Sequence, residues 1–102
     1  MVAHLRLEVD QDRLAELCRH HRIARLSLFG SVLRDDFDAD SDVDVLVEFE
    51  PGTRVSYFTL GGLQQDLSDL FGRRVDLKTP TTLSRYVRRR VLAGAEPIYV
   101  RR

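Results

Sequence analysis

The sequence predicts an α/β or α+β domain built as one pair of layers, and three observations predict it. Helical and strand-like hydrophobic periods alternate along the 102 residues, without a repeat, a low-complexity tract or a linker. The composition, 43% hydrophobic and 31% charged, is that of an ordinary folded domain rather than a disordered or fibrous chain. Two strand patterns set valines on one side and carboxylates on the other, which suits a sheet covered by helices on one face and wet on the other. The length fits a single domain over residues 1–102.

Each element has its own signal. Asp10 is an N-cap candidate for a first helix, whose Leu14, Leu17, Cys18 and His21 recur at helical spacing. A strand, Arg25 to Phe29, ends at Gly30-Ser31. A second, Asp42 to Phe49, alternates Val43, Val45, Val47 and Phe49 against Asp42, Asp44, Leu46 and Glu48, and Pro51-Gly52 stops it. A helix from Ser56 to Phe71 carries Leu60, Leu63, Leu67 and Leu70, tolerates Gly61-Gly62 at about 1 kcal/mol each, and stops at Gly72. A third strand, Arg73 to Lys78, turns Val75 and Leu77 one way and Arg74, Asp76 and Lys78 the other. Thr79-Pro80 reads as N-cap and N1 of a last helix with Leu83, Tyr86, Val87 and Val91 apolar, ending at Gly94. Pro97 to Val100 is a final strand. Tyr57, Phe58, Phe71 and Tyr86 read as core or interface aromatics.

Charge and cysteine content narrow the function classes. Sixteen bases balance sixteen acids, but eight acids and no base lie between Asp35 and Glu50, and nine bases face two acids from Arg73 to Arg102. One region therefore gathers cations and another meets anions. The single cysteine excludes an internal disulfide and fits a reducing cytoplasm. No apolar run is long enough to span a membrane, and the first residues lack a signal-peptide core.

The chemistry-bearing residues are few. Asp42 and Asp44, two apart on a strand, point the same way with Cα atoms about 6.5–7 Å apart, a costly pairing unless a cation shares them. Carboxylate oxygens are hard ligands suited to Mg²⁺ or Mn²⁺. Asp76 from another strand would complete a site for in-line phosphoryl displacement. Gly30 and Ser31 stand where a strand gives way to a helical turn, a place where backbone N–H groups hold phosphate, and Arg34 follows one turn later. EF-hand spacing fails from either Asp36 or Asp38. Cys18, His20 and His21 cannot all reach one zinc from a single helix. Leu46, beside Asp44, is either a floor for a nucleotide or a packing residue. The arginine-rich last helix has too little aromatic interleaving to make nucleic-acid binding the main reading.

Gly30-Ser31, ten residues, then Asp42-Val43-Asp44 is the G-S-x10-D-x-D signature, and it resembles the polymerase-β-like nucleotidyltransferase superfamily. Phe29 to Arg34, Asp42 to Phe49, Val75-Asp76-Leu77 and Glu96 to Tyr99 look like its minimal nucleotidyltransferase (MNT) family, with the likeness running from about Leu14 to Val100. One departure is Asp35, where many members carry Gly after the motif arginine. The resemblance implies a mixed sheet with helices on one face, ATP with Mg²⁺, and transfer of a nucleoside monophosphate. By position it makes Asp42, Asp44 and Asp76 the metal ligands, Gly30 and Ser31 the triphosphate contact, and Asp76 able to take the acceptor's proton.

A chain this short is expected to find its acceptor on a partner protein. The resemblance to MNT antitoxins paired with HEPN-domain toxins implies an adenylyltransferase that places AMP on a toxin tyrosine. The alternative from another class is an antitoxin that neutralises its toxin by contact, with a nucleotide site that does not turn over.

Overall fold

The computed structural model describes residues 9–30 and 41–101. Asp10 caps the first helix, α1 (Gln11–His20), its carboxylate accepting from the Arg13 N–H at 3.1 Å. Next come strands β1 (Ile23–Phe29) and β2 (Val43–Phe49), then helix α2 (Tyr57–Phe71) and strand β3 (Val75–Lys78). A 3-10 turn (Pro80–Thr82), helix α3 (Arg85–Gly94) and strand β4 (Glu96–Val100) complete the order. Ser56 caps α2, accepting from the Thr59 N–H at 3.1 Å, and Gly72 ends it in the left-handed conformation. Gly61 and Gly62 sit inside α2 with open space around them. Burial of Leu63, Leu67 and Phe71 outweighs their low propensity.

The four strands form one mixed sheet in the order β3-β2-β1-β4. β1 runs antiparallel to both β2 and β4, while β2 and β3 are parallel, joined by the α2 crossover that parallel neighbours require. Leu26, Leu28, Val43, Val45, Val47 and Val75 line one face and meet Leu14 and Cys18 of α1 and Leu63, Leu67 and Phe71 of α2. Each such side chain contributes about 1.5–3 kcal/mol of transfer free energy, so this one layer pair anchors the fold. The α+β architecture expected from the alternating periods is the one observed. No helix among the described residues is long and apolar enough to cross a membrane.

Two expectations need correction and a third is narrowed. Thr79-Pro80 opens the 3-10 turn rather than the last helix. Thr82 binds back to Thr79 through its N–H (3.1 Å) and its hydroxyl (2.9 Å), closing a tight turn, and Ser84 caps α3 instead. Of the four aromatics read as core or interface, Phe71 is in the core, and Tyr57, Phe58 and Tyr86 stand exposed, which removes only the core alternative for those three. The second face of the sheet is not open throughout: Ser27 and Leu46, opposite one another in the β1–β2 ladder, are both buried.

Candidate active site

The site lies at the N-terminal ends of the parallel pair. Val43 is buried and its N–H donates to the Arg74 carbonyl at 2.9 Å, which locks the start of β2 onto β3. From there the register runs Val43 with Val75 and Asp44 with Asp76. Both valines face the core, so alternation sends Asp44 and Asp76 off the opposite face, about 4.8 Å apart at the backbone as neighbouring strands are. Asp42 is exposed just before β2, two residues from Asp44 in the chain. Asp76 keeps 46% of its side chain accessible. The Asp76 carboxylate thus stands on the solvent side beside Asp44, as the sequence spacing anticipates.

β1 delivers the glycine. Phe29 pairs with Asp44, so the residue after it turns directly against the Asp44 side chain. Gly30 does so at φ +75, a conformation side-chain-bearing residues rarely adopt. A Cβ there would collide with the Asp44 Oδ2 and come within 3.1 Å of its Cγ. Glycine is required on two counts, backbone angle and room for a carboxylate. Ser31 and Arg34, the remaining expected phosphate contacts, lie outside the described residues.

Lys78 is a member that the sequence reading passed over. Its Nζ lies 3.4 Å from the Asp76 Oδ1, two residues along the same face of β3. The signal was available: Arg74, Asp76 and Lys78 alternate on one side, and Lys78 is the chain's single lysine. Two carboxylates directly across a ladder repel, and an ammonium on the same face offsets that repulsion. Leu46 packs rather than floors the site, since it is completely shielded from solvent.

The donor set suits a hard cation. Asp44 and Asp76 offer only carboxylate oxygens, and glycine at position 30 leaves room for the Asp44 carboxylate beside the turn. Among the described residues no three His, Cys, Asp or Glu side chains are drawn together into a ready-made metal cage. Cys18 is buried and its thiol is pushed up to about 12 by desolvation, while His21 turns its Nε2 to the Asp66 carboxylate at 3.4 Å.

A family model described as a nucleotidyltransferase domain matches residues 12–96. The chain belongs to that family. Protein adenylyltransferase MntA of Thermococcus cleftensis is 35% identical to this nucleotidyltransferase over 85 residues, 83% of this chain and 82% of that protein. A solved structure assigned as a minimal nucleotidyltransferase superposes with TM-score 0.71 at 36% identity, covering 85% of this chain and 87% of the other. A toxin–antitoxin structure with AMP-PNP shares the fold, with TM-score 0.72 at 19% identity over 92% of this chain and 76% of that one. The membership inferred from the Gly-Ser and Asp-Val-Asp residues therefore holds, and the chain is a transferase of the MNT kind.

Proposed function

We propose that this nucleotidyltransferase moves AMP from ATP, with Mg²⁺, to a tyrosine hydroxyl of a HEPN-domain toxin and thereby acts as its antitoxin in the cytoplasm. The observation that carries the reading is the Asp44–Asp76 ladder pair with Gly30 turned against it. Relatives named protein adenylyltransferases, and a fold neighbour described as an MNT antitoxin in complex with a tri-AMPylated HEPN toxin, support the choice of nucleotide and partner.

Asp42, Asp44 and Asp76 would hold the divalent ion, which supplies charge neutralisation for the phosphates. The chain's own groups do the rest. The glycine turn at Gly30 allows the triphosphate to approach the backbone without a side chain in the way. Asp76, accessible beside Asp44, accepts the proton of the incoming hydroxyl. The hydroxyl oxygen bonds to the α-phosphorus as the bond to the bridging oxygen breaks, and pyrophosphate leaves from the opposite side. Lys78 holds Asp76 by its Oδ1, fixing which carboxylate oxygen stays turned to the acceptor.

The test is transfer of label. With the toxin and Mg²⁺ present, ATP labelled at the α-phosphate should mark the toxin and ATP labelled at the γ-phosphate should not. Asp42→Asn should abolish the marking. If the toxin stays unlabelled yet is still neutralised, inhibition by contact replaces this reading.

A further inference from the structure

Helix α3 has no function in the core. Not one of its ten residues is buried, whereas α1, of the same length, buries Leu14 and Cys18. A ten-residue helix is marginal in water on its own, so a helix without a core anchor is best sustained by something that covers it. Its composition says what kind of surface that is. Arg85, Arg88, Arg89 and Arg90 are its charged residues, and it contains no acid. Only Arg88 and Val91 turn inward: Arg88 is half-buried and donates from Nη2 to the Leu83 carbonyl at 3.3 Å. Arg85, Arg89 and Arg90 are left on the solvent side with Tyr86, 73% exposed, and Leu92, 44% exposed.

We propose that the outward face of α3 is the docking surface for an acidic, partly apolar patch on the protein partner. The inference rests on the partner reading given above. Arginine and tyrosine are among the residues that dominate protein–protein binding energy. Arginine forks pair bidentately with carboxylates, so the complement is a surface rich in Asp and Glu with an apolar gap for Tyr86 and Leu92.

One observation favours a protein over RNA as the occupant. The chain as a whole has a formal net charge of zero and a pI near 6.8, not the strongly basic balance of a nucleic-acid binder.

The experiment compares the full-length protein with a variant carrying Arg85→Glu, Arg89→Glu and Arg90→Glu, each titrated calorimetrically with separately purified HEPN toxin. The reversal should weaken binding by about 30-fold or more, and lysines placed in the toxin's acidic patch should restore it. Tyr86→Ser alone should cost about 5-fold or more. Unchanged helix content and unchanged affinity for an ATP analogue establish that the variants are folded.

Toxin binding by the charge-reversed variant at wild-type affinity overturns the proposal. So does retention of labelled single-stranded RNA that is lost in this variant while toxin binding persists. If the wild type transfers AMP and the variant still binds, the catalytic reading stands and the docking surface falls. If binding is variant-sensitive but no AMP moves, the reverse holds.

Discussion

The two sides of β2 follow different rules although they alternate along seven residues. On the helix side, Val43, Val45 and Val47 are all fully buried, and each is replaceable only by something of similar size. On the other side the sequence changes character from one position to the next. Asp44 meets Asp76 and Gly30, Leu46 is as buried as any valine, and Glu48 turns an oxygen inward that finds no hydrogen-bond partner among the described residues. The contrast teaches that a face carrying a candidate site need not be a bare one. The packed middle at Ser27 and Leu46 stiffens the sheet immediately beside the carboxylates.

Substitutions can break that contrast or sharpen it. The largest effect is expected from Asp44→Asn, which should lower the rate of AMP transfer by about 1,000-fold or more, measured with labelled ATP. Its thermal midpoint should hold or rise, because one of two facing carboxylates is gone. A large loss of stability would mean that Asp44 serves the fold.

Val45→Ala and Leu46→Ala come next, on opposite sides of the sheet. Each should cost about 2–4 kcal/mol in urea unfolding, with transfer per folded molecule little changed. A cost under about 0.5 kcal/mol at Leu46 would show that the middle of the site face is not packed after all.

Gly30→Ala should cost about 1–2 kcal/mol through its positive φ, and it should slow transfer further by pushing the Asp44 carboxylate aside. Wild-type activity in that variant would remove Gly30 from the site.

The smallest effect concerns Cys18. Its thiol is pushed from 9.0 up to about 12 in the native state. Well below pH 9.0 it is protonated in native and unfolded chains alike and contributes no pH dependence. Above that the unfolded chain ionises first, so stability should fall as pH rises toward 12. Urea midpoints at pH 8 and pH 10.5 should therefore diverge more in wild type than in Cys18→Ala.

Much of this was legible in the chain. Asp10, Ser56 and Gly72 marked helix ends because caps satisfy backbone groups locally, whatever the tertiary context. Asp44 and Asp76 could be set on one face from strand alternation alone, and the family likeness supplied the pairing of their strands. Local rules failed where a competing local bond existed. The Thr82 hydroxyl captured Thr79 and ended at three residues the turn that Pro80 seemed to begin as a helix. They failed again where burial was decided at a distance. Leu46 lies in the same alternation as Asp44 and Glu48, so only three-dimensional packing reveals it as core. For Tyr86 the sequence left core and interface both open, since amphipathic spacing predicts a helix but not its cover.

The parallel joining of β2 to β3 carries a kinetic consequence. Asp44 and Asp76 are separated by the whole of α2 along the chain, so no local hairpin can bring them together. The β1–β2 pairing can form early and set Gly30 against Asp44, yet the candidate site is complete only when the crossover closes and seats the third strand. Refolding followed by secondary structure should therefore run ahead of refolding followed by enzymatic turnover.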